Sequence, residues 1–190
     1  MPLDPAIRTQ LLRHARTAIT NHLTGRNNSP DVWPADLPRC GAFVTLHNHD
    51  HLRGCIGVFV TDDDLPDTIA RMSVAAAHDP RFRDNPLTIA ELKDIHIDIS
   101  LLSPLERIAN PLNFDLGHHG IYVKQGRHIG CFLPDVATEA GWSKETFLAE
   151  CCAHKAGLGA NAWNAPDTEV YRFTVEKLSE DSDLLPANLG

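Results

Sequence analysis

The stretch Leu52-Arg-Gly-Cys-Ile-Gly57 is the most unusual part of the chain and lies at the centre of the predicted fold. Residues 41–47 and 51–60 have the composition of two strands, and the polar residues 48–50 between them predict a β-hairpin. Two glycines inside a strand weaken it and often mark a bulge or the close approach of a ligand or another backbone. The second strand of this hairpin is therefore both a structural element and a candidate site.

Helices are predicted on both sides of the hairpin. Apolar residues recur every four positions over Pro5–Leu23, and Asp4 has the side chain of an N-cap. A second helix is predicted over 66–77, after an acidic run that suits a helix N-terminus. A third is predicted over Lys144–Lys155, capped by Ser143.

The remaining strands arrive mostly as hairpins. Residues 95–102 alternate between apolar and mainly polar, which predicts a strand with one buried face. A second hairpin is predicted over 120–124 and 127–133, and a last strand over 170–177. Because helices stand between blocks of strands, the sequence predicts an α+β fold with a mainly antiparallel or mixed sheet and flanking helices, not a parallel doubly wound fold.

The chain of 190 residues fits one domain over 1–178, or one domain with a small second lobe. Residues 179–190 are acidic and lack periodicity, which predicts a loose tail. With 43% hydrophobic residues the chain can bury a substantial core.

Charge and cysteine use exclude several classes of protein. The formal net charge is -8 and there is no run of Lys or Arg, which argues against a nucleic-acid partner. No apolar segment is long enough for a signal sequence or a membrane span, so a cytoplasmic protein is expected. Five cysteines without Cys-x-x-Cys spacing predict reduced thiols and no structural metal.

Arg53 and Cys55 are the first candidate pair. Strand alternation would place both on one face, and a neighbouring guanidinium favours the reactive thiolate. The pair then predicts a nucleophilic thiol beside an anion holder. The alternative is a packed core cysteine with an arginine extending over the sheet edge, and spacing alone favours it, because free cysteine is among the most buried residue types.

Histidines form two further candidate clusters. His47, His49 and His51 carry the commonest metal-binding side chain, but no carboxylate or cysteine completes a set, so a solvated hairpin tip is preferred and no cofactor is expected. Residues 96–100 contain the residue types of a hydrolytic triad. Alternate residues of a strand stand about 6.6 Å apart, however, whereas triad groups touch. A polar sheet face, in which Asp98 lines a cleft, is predicted instead.

Asp79-Pro-Arg81 closes the second predicted helix, because the residue before a proline resists the α conformation. In one interpretation Asp79 and Arg81 form a turn and pair with backbone or with each other. In the other, Arg81 joins Arg53 as a second anion holder.

Eight blocks of the sequence resemble the AMMECR-type domain, called AmmeMemoRadiSam system protein A in prokaryotes. The blocks are Gly41–Leu46, Leu52–Gly57, Ala75–Phe82, Ile97–Ser100, His119–Ile121, Leu133–Ala137, Gly141–Trp142 and Lys155–Leu158. They cover about residues 40–175 and are specific because they fall in one order.

The resemblance implies a two-lobed α+β protein with a main antiparallel sheet, but no reaction. Prokaryotic members of the family are encoded beside a Memo-like protein and a radical-SAM protein, which implies these as partners in a shared pathway. Two departures are visible: Asp135 stands where the family usually has Gln, and the His47–His51 tip replaces a Lys-x-Gly pattern. His119 is the one histidine that falls in a matched block at a loop, which makes it the acid–base candidate.

Two hypotheses follow. In the first, the chain binds a small polar or anionic molecule, or a modified residue, in a cleft at the Arg53–Cys55 strand that Asp79 and Asp98 help to line. If it is catalytic, Cys55 is the nucleophile or proton donor, Arg53 and Arg81 hold an anion, and His119 shuttles protons. In the second, the chain is a non-catalytic module that docks a radical-SAM or Memo-like partner, and its motifs fix backbone geometry. The ligand, the reaction and the oligomeric state stay open.

Overall fold

The structure is a computed structural model that describes residues 3–26 and 32–180 and divides into two compact units. The first unit comprises residues up to Leu101 and from Glu176 onward, and the second comprises Leu102–Val175. The described residues form four α-helices and two four-stranded sheets, so the predicted α+β class is confirmed. None of the described helices has the length and apolar character needed to cross a membrane.

The α-helices are α1 (Pro5–Thr24), α2 (Leu65–Ala77), α3 (Pro134–Ala140) and α4 (Lys144–Glu150). The strands are β1 (Ala42–Asn48), β2 (His51–Val58), β3 (Ile95–Leu102), β4 (Glu106–Arg107), β5 (Gly120–Gln125), β6 (His128–Phe132), β7 (Glu169–Phe173) and β8 (Val175–Ser179). Short 3-10 turns lie at Pro80–Phe82, Glu91–Asp94 and Ala162–Asn164, and a π-helical turn lies at Cys151–Lys155.

The first unit packs α1 and α2 on one face of a sheet with strand order β2-β1-β3-β8. β1 pairs antiparallel with both β2 and β3. Asp4 caps α1 by accepting the N–H of Ala6 at 2.8 Å, as predicted, and Gly25 ends the helix with φ 66°. The apolar stripe of α1 meets alternate residues of the central strands in one core, which includes Leu11, Ile19, Val44, Leu46, Ile97 and Ile99.

The opposite face of this sheet carries polar side chains. We call it the polar face and define it by Thr45 and His47 of β1, Cys55 of β2, and His96 and Asp98 of β3. Each of these residues alternates along its strand with a residue of the core, such as Val44 or Ile97. The predicted division of residues 95–102 into a buried and a mainly polar face is therefore confirmed up to Asp98, whereas Ser100 and Leu102 are buried.

The second unit packs α3, α4 and the π-helical turn with a sheet of strand order β4-β7-β5-β6. Its strand pairs are antiparallel. The core of this unit is rich in aromatic and sulfur side chains, and it includes Phe114, Ile121, Phe147, Cys151, Cys152 and Val170.

Three elements differ from the sequence expectations. The predicted helix 144–155 is α-helical only to Glu150, and it widens into the π-helical turn where a Cβ on Gly130 of β6 would approach the carbonyl oxygen of Cys151 to 2.8 Å. α3 was not predicted, because seven residues are too few for a clear periodicity, although proline at its start and Gly141 after its end are helix signals. The predicted last strand is two strands, β7 and β8, which belong to different sheets.

The predicted loose tail, 179–190, lies largely outside the described residues. Its first two residues are ordered: Ser179 ends β8, and Glu180 is buried. The carboxylate of Glu180 accepts hydrogen bonds from Arg16 and from the N–H of Ile97 at 2.9 Å.

Candidate functional site

A β-bulge interrupts β2 within Leu52–Gly57. Leu46 of β1 pairs with Gly54, and the next residue, His47, pairs with Leu52, so Arg53 is an extra residue without a partner in β1. A bulge of this kind breaks the period-two alternation of the strand. The expectation that alternation places Arg53 beside Cys55 on one face is therefore wrong, and the two side chains have different partners.

The guanidinium of Arg53 is largely buried and forms a two-pronged ion pair with Glu91. Its Nε donates to Oε1 at 2.5 Å and its Nη2 donates to Oε2 at 3.0 Å. Nη2 also donates to the carbonyl of Asn85 at 3.2 Å, and the group lies 5.5 Å from the ring centre of Phe82. The hydrogen bonds between them raise the pKa of Arg53 and lower the pKa of Glu91. A carboxylate of the protein thus occupies the place expected for a bound anion.

The two glycines of the motif are explained by close packing within the first unit. A Cβ on Gly54 would lie 2.0 Å from the carbonyl oxygen of Ala76 in α2. A Cβ on Gly57 would lie 2.2 Å from the ring of Phe43. Both distances are far below van der Waals contact, so the backbone of β2 and its neighbours require glycine there without any ligand.

Asp79 and Arg81 cap the free edge of β2, which is the outermost strand of its sheet. The N–H of Cys55 donates to Oδ2 of Asp79 at 2.9 Å, and Nη2 of Arg81 donates to the carbonyl of Cys55 at 3.3 Å. Asp79 also accepts the backbone N–H of Arg81 at 3.0 Å. The pair thus satisfies the backbone groups that a further strand would otherwise pair with.

The same contacts fix the charges of this pair. Asp79 is almost completely buried, and Nε and Nη2 of Arg81 both donate to its carboxylate. These hydrogen bonds, helped by that from Cys55, hold the pKa of Asp79 well below its usual range against the opposing effect of burial. They also raise the pKa of Arg81. The interpretation that Asp79 and Arg81 pair with backbone and with each other is confirmed.

The thiol of Cys55 is half-buried and lies on the polar face, outside the hydrophobic core of the first unit. The hydroxyl of Thr45 donates to Sγ at 3.3 Å. An electrostatic interaction with Cys55 contributes, as the smallest cause, to the raised pKa of Arg81. The guanidinium of Arg81 donates to the backbone carbonyl of Cys55, whereas that of Arg53 is engaged by Glu91.

Asp98 joins Cys55 in one row across the sheet. Thr45 of β1 is paired with Cys55 on one side and with Asp98 on the other. Directly paired residues of neighbouring strands project from the same face. The row therefore places a thiol, a hydroxyl and a carboxylate side by side on the polar face.

Two imidazoles flank the carboxylate of Asp98. Nδ1 of His47 lies 3.3 Å from Oδ2, and Nε2 of His96 lies 3.2 Å from Oδ1. Nε2 of His96 also lies 3.0 Å from the hydroxyl of Ser179. The expectation that residues 96 and 98 are too far apart to touch is wrong, because long side chains bridge a distance that their backbone positions do not.

This arrangement is still not a hydrolytic triad. In a triad, one imidazole nitrogen faces the carboxylate and the other faces the hydroxyl. Here the same nitrogen of His96 faces both Asp98 and Ser179, and Ser100, the serine of the sequence pattern, is buried elsewhere on the strand. In these contacts the ring of His96 does not bridge a serine and Asp98 through its two nitrogens.

A cavity of about 460 Å³ opens beside this cluster in the first unit. Its lining includes Asp98 with its two imidazoles, and also His49, Asp50, Asp94 and Ser179. His49 lies at the hairpin tip with φ 53° and contacts the side chain of Asn48 at 2.7 Å. In the described part of the chain, no three His, Cys, Asp or Glu side chains converge as a metal ion would require.

His119 belongs to the second unit. Its Nδ1 accepts the backbone N–H of Asp115 at 3.0 Å, and its ring stacks edge-on against that of His118. Burial, with the nearby charges of His118 and Arg172, lowers the pKa of His119. A neutral imidazole is suited to accept a proton. That His119 acts as a proton shuttle stays a prediction.

Sequence reasoning did not single out Glu91 or Thr45, and it considered His47 and His96 without pairing either with Asp98. Strand pairing could have indicated Thr45, since a hairpin register places one residue opposite Cys55. The register depends on the bulge, however, and the sequence showed only that two glycines made a bulge plausible. Glu91 is 38 residues from Arg53 along the chain, and nothing in the sequence indicates that they pair.

Comparison with known proteins agrees with the resemblance noted in the sequence. The model of the AMMECR1 family matches residues 12–178. The chain belongs to the AMMECR1 family. It is 39% identical to the Pyrococcus furiosus protein PF1979, over 90% of this chain and 87% of that one. A Methanothermobacter thermautotrophicus protein is also 39% identical, over 90% of this chain and 93% of that one.

A solved structure supports the fold of this AMMECR1-family chain. The crystal structure of the uncharacterized protein PH0010 from Pyrococcus horikoshii matches with a TM-score of 0.74 and 36% sequence identity, covering 88% of each chain. The relatives share the family and the fold, and their names assign no reaction or ligand.

Proposed function

We propose that this chain binds a small polar or anionic molecule, or a modified side chain of another protein, on the polar face of the first sheet, and that Cys55 is the group that reacts with it. The observation that carries the proposal is the row Cys55–Thr45–Asp98. A half-buried sulfur accepts a hydroxyl hydrogen bond at 3.3 Å, and the carboxylate on the other side of Thr45 contacts two imidazoles.

The chemistry of the row suits addition of a thiolate to an electrophilic carbon. The hydroxyl of Thr45 donates to the sulfur, and the guanidinium of Arg81 reaches the backbone carbonyl of the same cysteine. The thiol proton leaves to solvent or to an imidazole of the face, and sulfur forms a bond to carbon as the C=O or C=C π bond of the ligand opens. The atom that receives the π electron pair takes up a proton, so the addition requires no oxidant. The adjoining cavity offers carboxylates and imidazoles that bind the hydroxyl or amino groups of a polar ligand.

In the hypothesis drawn from the sequence, Arg53 and Arg81 both hold an anion. In this proposal they have smaller roles. An anion that reached Arg53 would have to displace Glu91, and one that reached Arg81 would have to compete with Asp79. Arg81 is the better candidate, since 56% of its side chain is exposed compared with 9% for Arg53.

The proposal is tested by the binding of a defined mixture of amino acids, sugar phosphates, nucleotides and organic acids to the purified protein. Retained compounds are identified by mass spectrometry after rapid gel filtration. We expect at least one compound that the native protein retains and that both Cys55→Ala and Asp98→Asn retain less, whereas Cys40→Ala, which changes a thiol away from the row, retains it fully. Equal retention by all four proteins, or none by the native protein, would contradict the proposal.

A second candidate function is a non-catalytic module that docks a Memo-like or radical-SAM partner. One observation favours it: packing within the unit accounts for Gly54 and Gly57, and hydrogen bonding to backbone accounts for Asp79 and Arg81. A motif that fixes backbone geometry is what this function requires. Tight binding of such a partner that Cys55→Ala and Asp98→Asn leave unchanged would favour the module over the reactive site.

A further inference from the structure

The second unit contains a cavity of its own, which is separate from the polar face. Its volume is about 550 Å³, and it lies between the residues that follow β4 and the segment from the 3-10 turn Ala162–Asn164 to the start of β7. Ile108, Trp163, Pro166 and Val170 form apolar walls. Its size is that of a pocket for a small organic molecule, and polar side chains such as Asn164 and Thr168 complete the lining.

Two polar atoms in the walls of this cavity lack hydrogen-bond partners. Within the described residues of the second unit, the buried side-chain atoms without a partner are Nε1 of Trp163 and Oγ1 of Thr168. Backbone groups of the same walls are satisfied, as in the bond from the N–H of Ile108 to the carbonyl of Val170 at 3.0 Å. Buried polar groups are almost always hydrogen-bonded in folded proteins. Two exceptions among the residues of one cavity lining are groups that a ligand of this cavity would satisfy.

The chemistry of the lining limits what that ligand is. An indole N–H can only donate and a hydroxyl can donate, so the ligand must offer acceptor oxygens. Arg107 also lines the cavity and supplies positive charge at an exposed position. A hydrogen bond from the hydroxyl of Tyr171 lowers the pKa of Glu169, and the charge of Arg107 contributes to the same shift. A carboxylate satisfies all three requirements, because it accepts several hydrogen bonds and is attracted to a guanidinium.

We propose that this cavity binds a small molecule with an apolar body and a carboxylate group. The apolar body lies against Trp163 and Pro166, and the carboxylate accepts from Nε1 of Trp163 and Oγ1 of Thr168 while facing Arg107. Both atoms are shielded from solvent, so the side chains that cover them must move slightly when the ligand enters. This site does not depend on Cys55 or on any residue of the polar face.

The chain offers a direct signal for the test, because it has three tryptophans and therefore three indole N–H resonances. In protein labelled with nitrogen-15, Trp163→Phe identifies the resonance of Trp163. Three probes of similar shape are titrated: phenylacetate, phenylacetamide and phenethylamine. We expect phenylacetate to shift the Trp163 resonance but not those of Trp33 and Trp142, and to bind about fivefold more tightly than phenylacetamide, because one partly exposed ion pair contributes about that factor. Phenethylamine should not bind.

Two variants separate a ligand contact from a structural role. Thr168→Val should weaken phenylacetate binding about tenfold, as expected for a lost hydrogen bond to a charged group, while the melting temperature stays equal or rises. Its matched control is Thr138→Val, which removes a hydroxyl that already donates to the carbonyl of Asp135 and does not line the cavity. Arg107→Met should abolish the preference for phenylacetate over phenylacetamide, whereas Arg127→Met at the exposed β5–β6 turn should not.

Any of three results would overturn the proposal. The first is a Trp163 resonance that phenylacetate does not move. The second is tighter binding of the cation phenethylamine than of phenylacetate. The third is a Thr168→Val protein that binds phenylacetate as the native protein does and melts at a lower temperature, since the hydroxyl would then have a partner within the protein.

Discussion

At the scale of single residues, Gly54 shows that close packing within the first unit explains part of the unusual Leu52–Gly57 motif. The carbonyl oxygen of Ala76 lies 2.0 Å from where a Cβ on Gly54 would be. That oxygen belongs to the backbone of α2, which cannot turn aside as a side chain can. The sequence suggested that the space beside this glycine could admit a ligand. That space is occupied by α2 of the same unit.

We expect Gly54→Ala to destabilise the protein by about 3 kcal/mol or more, because an added methyl group in a filled space forces the backbone to move. Urea unfolding followed by circular dichroism measures this loss. Gly159→Ala is the matched control, since no atom lies within 4 Å of its Cβ position, and it should change stability by less than about 0.5 kcal/mol. A stable Gly54→Ala protein that only loses ligand binding would show instead that the space is kept for a ligand.

At the scale of elements, β2 is an edge strand whose free side is closed by two side chains rather than by another strand. Asp79 is buried and ionised, and its pKa is held low by Arg81 and by the N–H of Cys55. A carboxyl group with a lowered pKa in the folded state contributes stability above its unfolded pKa. That contribution is lost as the pH falls below the unfolded value toward the folded one.

Asp79→Asn should therefore destabilise the protein by about 2 kcal/mol near neutral pH, since a charge-assisted hydrogen bond is lost at the edge of β2. Below about pH 4, where the unfolded carboxyl becomes protonated, the difference from the native protein should shrink. Thermal unfolding across this pH range measures both effects. Asp63→Asn removes an exposed carboxylate that pairs with Arg71, and it should have little effect at any pH. A loss from Asp79→Asn that is the same at acidic and neutral pH would contradict the role of its charge.

Local signals in the sequence located most helices and strands, but not the contacts between them. The strand β3 was predicted with its bounds, because eight alternating residues are a strong period-two signal. Tertiary contacts decided the rest: a bulge at Arg53 breaks the alternation on which the expected face depended, and close packing at Gly130 coincides with the widening of the helix after Glu150. The polar face was found in part through Asp98, while the imidazole of His47 was assigned to a solvated tip.

At the scale of the whole molecule, Cys55 and the three cysteines of the second unit have very different surroundings. Cys151 and Cys152 are buried in the core of the second unit, and Cys131 packs near them. Burial raises the pKa of all three thiols, which keeps them protonated and unreactive. Cys55 instead is half-buried on the polar face of the first unit, beside the hydroxyl of Thr45 and outside the hydrophobic core.

The most direct test of this account is the rate at which iodoacetamide alkylates each cysteine of the folded protein near neutral pH, measured by peptide mass spectrometry. We predict that Cys55 reacts about tenfold faster or more than Cys131, Cys151 and Cys152, since alkylation requires an accessible thiolate. Thr45→Val and Arg81→Met should slow the reaction at Cys55, whereas Arg53→Met in a protein that remains folded should not. Alkylation of Cys55 only after denaturation, or at the rate of Cys151, would contradict the claim that this thiol is the reactive group of the polar face.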